Sequence, residues 1–276
     1  MSSPYLPQPA RILEVIDETP NIKTFVLEPE KKFEFSPGQF LELTAFGVGE
    51  APFAISSPPH GERLEMTVMR TFDPSLGTYG RVTSALHRMG AGEVLGIRGP
   101  YGNSYPVKES EGKDILIVGG GIGLSTLRSY LLTLLHEREK YGRILLFYGA
   151  RTPADLVFKR EYEEWKRRGA EVHLSVDVGT PGWTGNVGVV TTLFDRVKLD
   201  FRRELAVVCG PPIMIRFTVE RLLQVGYEPP NIYVSLERKM RCGIGKCGHC
   251  NIEKYYVCKD GPIFSFEKLK GIPEWW

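Results

Sequence analysis

Apolar and polar positions alternate in short runs along the N-terminal part of the chain. "RILEVIDET", "IKTFVLEP", "QFLELTAF", "RLEMTVMR" and "EVLGIRGP" are rich in β-branched or aromatic residues, and Pro and Gly punctuate them closely. Period-two runs at this spacing predict an antiparallel β-barrel. One segment breaks the pattern. "GRVTSALHRM", from Gly80, has helical spacing, with Thr83 as the expected N-cap and Leu86 on its apolar side.

The pattern changes at Lys113. "DILIVGG", "RILLFYGAR", "EVHLSVDV", "ELAVVCGPP" and "NIYVSLE" read as strands. Between them, "LSTLRSYLLTLLHEREKYG", "DLVFKREYEEWKRRG", "VGVVTTLFDRV" and "IMIRFTVERLLQVG" read as helices, with Gly169 as a stop. Strands alternating with helices predict an α/β domain with a parallel sheet. The remaining C-terminal residues hold most of the cysteines and no long periodic element. The division is therefore a barrel over 1–110, an α/β domain over 111–235 and a small module over 236–276.

Composition narrows the class. A chain of 276 residues suits two domains and an appendage. Lys plus Arg is 35 and Asp plus Glu is 33, a net charge of +2, which argues against a nucleic-acid or membrane-surface binder. "MSSPYLPQPARILEV" has no basic n-region and no apolar h-region, and the longest apolar run is too short to span a bilayer. These features predict a cytoplasmic protein. Thiols there stay reduced, so clustered cysteines suggest metal ligands rather than disulfides.

The chain has 5 cysteines, and four follow Cys242-x4-Cys247-x2-Cys250-x7-Cys258. A C-x4-C-x2-C run with a later cysteine is the plant-type pattern for a [2Fe–2S] cluster, although the fourth ligand lies closer here. Gly243, Gly245 and Gly248 allow a loop that turns N–H groups toward sulfur. The competing reading is a structural zinc with four thiolates. Zinc ribbons favour two C-x2-C knuckles, and this chain has one. His249 reads as a polar loop residue.

"VGGGIGLSTLRS" places Gly119, Gly120, Gly121 and Gly123 between a strand and a helix. There, backbone N–H groups approach a pyrophosphate, or the glycines serve close packing. Cys209, Gly210 and Pro211 end another strand at the carboxyl edge of the sheet, where open α/β folds bind ligands. A buried cysteine before a plain turn is the simpler account. In the barrel half, "APFAISSPP" suits a flat apolar ring, and "GRVTSAL" opens a helix.

Together these segments resemble the ferredoxin–NADP reductase superfamily. More narrowly, they resemble its flavin and iron–sulfur electron-transfer subunits, found with dihydroorotate dehydrogenase, anaerobic sulfite reductase and cytosolic NiFe hydrogenases. "LERKMRCGIGKCGHC", "YVCKDGPIFSF", "GPYGNSYPV" and "YGAR" carry the likeness. The resemblance implies FAD between the barrel and the α/β domain. Pro52, Phe53, Ala54, Ile55 and Ser56 would line its ring. Thr67, Val68, Met69 and Arg70 would follow the ribityl and phosphate chain, and Gly80, Arg81, Val82 and Thr83 would hold the phosphates. Nicotinamide nucleotide would lie on Gly119, Gly120, Gly121, Ile122, Gly123 and Leu124, with Cys209, Gly210, Pro211 and Met214 near its nicotinamide end. Many relatives read Arg-Pro-Tyr-Ser where this chain has Ala51-Pro52-Phe53-Ala54, which implies either weaker flavin binding or Arg70 and Arg81 in place of the missing phosphate partner.

These parts predict an electron-transfer subunit serving a larger catalytic partner, such as a hydrogenase, in a hetero-oligomeric complex. A sulfite reductase partner, or a zinc-stabilised regulatory subunit, is the alternative. The residues from Val176 to Gly188 contain no Arg or Lys and open with Asp177, which favours NADH over NADPH. Arg151 is the nearby cation able to serve NADPH. "GIPEWW" at the C-terminus reads equally as a docking segment or as packing on its own module.

Overall fold

The computed structural model describes residues 3–200, 204–273 and 275. The chain opens with strands β1 (Gln8–Thr19), β2 (Ile22–Pro29), β3 (Phe40–Ala45), β4 (Gly49–Ala54) and β5 (Leu64–Met69). A hairpin, β6 (Phe72–Asp73) and β7 (Thr78–Tyr79), precedes helix α1 (Arg81–Arg88) and strand β8 (Val94–Tyr101). The long strands form a 6-stranded sheet in the order β4-β3-β8-β1-β2-β5, with every pair antiparallel. A bridge between Ile55 and Met66 joins the two outer strands and closes the barrel. Alternation fills its interior with Ile12, Phe25, Leu41, Leu43, Met66 and Ile97. Strand β3 is covered on both faces, because Phe40 packs instead among the residues of the C-terminal module.

The second sheet is built from β9 (Asp114–Gly120), β10 (Ile144–Ala150), β11 (Ala170–Val176), β12 (Asn186–Val187), β13 (Glu204–Cys209) and β14 (Ile232–Ser235). Helices α2 (Leu124–His136), α3 (Tyr162–Arg167) and α4 (Pro212–Gln224) connect them. The C-terminal module adds a hairpin, β15 (Asn251–Ile252) and β16 (Tyr255–Tyr256), then α5 (Val257–Asp260), β17 (Ile263–Ser265) and α6 (Phe266–Leu269). The sheet order is β12-β11-β10-β9-β13-β14-β17. Strands β9 to β14 run parallel, and β17 is antiparallel to β14. The central strands are buried on both faces, as parallel sheets require; Ile115, Leu145 and Val207 are fully covered. The order reverses direction between β9 and β13. Their carboxyl ends form the crevice where such sheets bind ligands.

Several local expectations change. Thr83 does not cap α1. Gly80 is the N-cap, and the Thr83 hydroxyl donates back to the Gly80 carbonyl at 3.1 Å. "VGVVTTLFDRV" is not an α-helix but strand β12 followed by a 3-10 segment, Val190–Asp195. Its run of β-branched residues disfavours the α form. In "DLVFKREYEEWKRRG" the helix covers Tyr162–Arg167 alone. Phe158 takes a φ of 57°, and its N–H donates to Glu18 of the barrel. That contact breaks the helix. Strand β17 had no sequence signal, being three residues without alternation.

Candidate functional site

A cavity of about 230 Å³ lies where the barrel, the parallel sheet and the C-terminal module meet. Pro52, Phe53 and Ala54 of β4, with Thr67 and Met69 of β5, form the barrel wall. Ile122, Gly123 and Cys209 form the opposite wall, and Thr83 of α1 closes one side. Nine residues expected at the site therefore share one cavity.

Others serve it indirectly. Ile55, Val68 and Leu124 are core residues with no exposed surface. Ser56 is fully buried. Its hydroxyl accepts from Thr67 at 3.0 Å and donates to the Glu65 carbonyl at 2.9 Å, so it is committed to the fold. Arg70 stacks on the Tyr79 ring at 3.8 Å, at the base of the β6–β7 hairpin. Arg81 is exposed at the start of α1, where Gly80 supplies no side-chain cap and Val82 packs toward the barrel core. An uncapped helix start leaves N–H groups for an anion.

The glycine turn divides by role. A Cβ on Gly123 would lie 2.6 Å from the Cys209 carbonyl oxygen, and one on Gly120 would strike Met214. A Cβ on Gly119 would press on Leu127 at 3.1 Å, and Gly210 also packs against Met214. Gly119 thus lets α2 pack on β9, Gly120 and Gly210 leave room for Met214 of α4, and Gly123 lies against the end of β13, where Cys209 pairs with Gly119. Gly121 differs. Its φ is 53° and nothing lies near its missing side chain. Among the glycines of the turn it is the open position. Arg151 and Asp177 are exposed at the ends of the paired strands β10 and β11, directly after the Ala150–Val176 pair.

Burial pushes the Cys209 thiol up to about 12, helped by the charge of Glu237, so it faces the cavity as a neutral S–H. Glu237, Ser235, Thr126 and Met240 also line the cavity and were not foreseen. Glu237 is open to the cleft, yet its surroundings desolvate it and raise its carboxyl above the usual range. A signal existed, since Glu237 follows a strand end at the carboxyl edge of the sheet.

Two residues beyond Met240 the cysteine loop begins. Gly243, Gly245 and Gly248 take φ values of 73°, 71° and 76°. The Gly245 N–H reaches Cys258 Sγ at 3.2 Å, Lys246 reaches Cys242 at 3.3 Å and Cys258 reaches Cys250 at 3.5 Å. Burial opposes ionisation of Cys242, but N–H groups of Cys247, Ile244 and Lys246 outweigh it and hold the thiol below its ordinary value. Cys242 is within hydrogen-bond reach of Cys247, and Cys250 of Cys258. This pairing is compatible with two cysteine ligands to each iron of a binuclear cluster. Cys247 is the exposed member of the four.

The loop is fastened to the barrel by Arg98 of β8, which was not foreseen. Its guanidinium donates to the Cys242 carbonyl at 2.8 Å and the Arg241 carbonyl at 2.9 Å. Glu50 holds it in a fork at 2.8 and 2.5 Å. Glu42 lies 3.9 Å away, and neither of its carboxyl oxygens has a hydrogen-bond partner among the described residues. A Cβ on Gly243 would lie 2.6 Å from the Tyr101 ring, so the loop rests directly on the barrel. Trp275 packs against Phe266 at 5.5 Å, which settles that residue of "GIPEWW" on its own module. Glu274 and Trp276 lie outside the described residues.

Residues 117–220 match the family model of the oxidoreductase NAD-binding domain. Residues 237–270 match that of the iron–sulfur cluster binding domain of dihydroorotate dehydrogenase B. The FAD/NAD-binding domain of nitric oxide dioxygenase from Vibrio cholerae shares the fold. Its TM-score is 0.72 at 18% identity, over 82% of this chain and 97% of that one. A ferredoxin NADP+ reductase from Neisseria gonorrhoeae aligns with a TM-score of 0.70 at 20% identity, over 82% and 96%. Fold and site thus define an oxidoreductase of the ferredoxin–NADP reductase type with an added iron–sulfur domain. Sulfhydrogenase 2 subunit gamma of Pyrococcus furiosus is 37% identical over 96% of both chains. The probable dihydroorotate dehydrogenase B (NAD(+)) electron transfer subunit of Methanocaldococcus jannaschii is 37% identical over 96% of this chain and 91% of its own. The chain belongs to this family of sulfhydrogenase gamma and dihydroorotate dehydrogenase electron-transfer subunits.

Proposed function

We propose that this chain passes electrons between NAD(H) and a catalytic partner subunit, through FAD and a [2Fe–2S] cluster. The partner is of the sulfhydrogenase type, in a cytoplasmic hetero-oligomeric complex. The observation that carries the reading is contiguity: one cavity joins the barrel wall to the nucleotide turn, and its Met240 stands two residues from Cys242.

When bound, nicotinamide supplies a hydride, flavin converts a two-electron into a one-electron exchange, and the cluster carries single electrons. The protein supplies placement. Pro52, Phe53 and Ala54 offer a flat wall to the flavin ring, and the start of α1 offers N–H groups to its phosphates. Gly121 admits the nicotinamide nucleotide, while Cys209 and Glu237 border its reactive end. The four cysteines hold the cluster, and Arg98 fixes their loop. Asp177 favours a free ribose hydroxyl over a 2′-phosphate. The match over residues 237–270 favours a second reading, in which the partner is a dihydroorotate dehydrogenase catalytic subunit.

The absorption spectrum and metal content of the purified protein test this. Flavin bands, visible iron–sulfur bands and about two irons per chain are expected. A colourless chain with one zinc overturns the proposal. With flavin in place, kcat/KM for NADH should exceed that for NADPH, and the reverse order would refute the role given to Asp177. Hydrogen or dihydroorotate as electron donor, with the reconstituted partner, separates the two readings.

A further inference from the structure

One face of α2 runs along the barrel segment that follows the flavin wall. Arg128, Ser129 and His136 lie on it at helical spacing. Arg128 Nη1 donates to the Ser56 carbonyl at 2.9 Å, and Ser129 Oγ donates to the Ser57 carbonyl at 2.7 Å. The His136 ring stacks on His60 at 3.8 Å. Arg128 does more than pair across the seam. Its side chain is 8% exposed and takes Glu65 of the barrel at 2.6 Å and Glu161 of the α/β domain at 2.7 Å.

The two ends of this arrangement face the same cavity. Ser56 lies two residues after Ala54 in the barrel wall. The first turn of α2 carries Ser125 and Thr126 in the opposite wall. We propose that Arg128 is a positioning residue for hydride transfer, holding the flavin wall and the nicotinamide wall at a fixed spacing through one guanidinium. This rests on the proposed function, in that the cavity takes both rings. Fixed spacing matters because a misplacement of about 1 Å can cost roughly a hundredfold in rate. A lysine offers no fork and cannot make these bonds together.

The test uses the full chain with Arg128→Met and Arg128→Lys, and with Ser129→Ala, which removes one bond and strands no charge. At saturating NADH, stopped-flow reduction of the flavin should slow at least about tenfold in Arg128→Met. KM for NADH should change little, since the nucleotide turn is untouched. Arg128→Lys should recover part of the rate, and Ser129→Ala should show a smaller loss. The long-wavelength absorbance of the NADH–flavin complex should weaken in step. In the flavin-free chain, amide hydrogen exchange over residues 55–61 should quicken. A role in stability alone would lower Tm and leave the rate constant and the absorbance of the folded enzyme unchanged; that result overturns the proposal. If NADH fails to reduce wild-type flavin, the proposed function falls. The exchange measurement then still decides whether Arg128 pins the wall, and unchanged exchange would refute it.

Discussion

Gly123 shows how closely a single residue is specified. Its missing side chain leaves room for the Cys209 carbonyl and for Gly210, whose Cα would lie 2.8 Å from a Cβ. Gly123→Ala must push the turn after β9 away from the end of β13, with an expected loss of about 1–3 kcal/mol in denaturant melts and a raised KM for NADH. Glu42 makes a different demand. Burial raises its carboxyl to about 8, against a downward pull from Arg98, whose close partner is Glu50. Its pKa is higher folded than unfolded, so the native state holds the extra proton. The stability this gives is full below about 4.5 and is lost as pH rises through about 8. The slope is at most about 1.4 kcal/mol per pH unit. Glu42→Gln should flatten unfolding free energy across that window, and an unchanged profile would count against this account. The glycines were legible in the sequence because turns and close approach leave a mark there. Glu42 and Arg98 were not, since alternation along β3 and β8 says nothing of what covers the outer face.

Among the elements, the cysteine loop and the strand-ending motifs were read from local spacing; Cys209 lines the cavity, and the cysteine loop begins two residues beyond Met240 in its wall. Local spacing served less well where a tertiary contact decides the backbone, as at Phe158 beneath Glu18, or where β-branched residues fill a helical period, as after Asn186. The loop and the β13 terminus are separate devices, which substitutions should reveal. Cys247→Ser should abolish or distort the electron paramagnetic resonance signal of the reduced cluster and leave flavin bound. Cys209→Ser should leave that signal intact, because its thiol faces the cavity from another element. An unaltered signal in Cys247→Ser would remove it from the ligand set.

At the scale of the molecule, barrel, parallel sheet and cysteine module were visible in order along the chain, but their fastenings were not. These lie between residues far apart in sequence: Arg98 with Arg241 and Cys242, Arg128 with Ser56, Arg160 with Glu18. No periodicity encodes such pairs. Strand β17 is the fastening with the widest reach. By pairing with β14 through Tyr233, Val234 and Ser235, it makes the module the last strand of the nucleotide sheet. A carrier domain on a tether would have to swing between donor and acceptor, and its turnover would slow in a thick solvent. Here the cysteine loop has no such freedom, because moving it means unzipping a sheet edge. Electron hand-off inside the chain should therefore be insensitive to viscosity: the rate of cluster reduction after flavin reduction should hold steady as glycerol is added, and a rate falling in proportion to viscosity would mean that the edge opens during turnover.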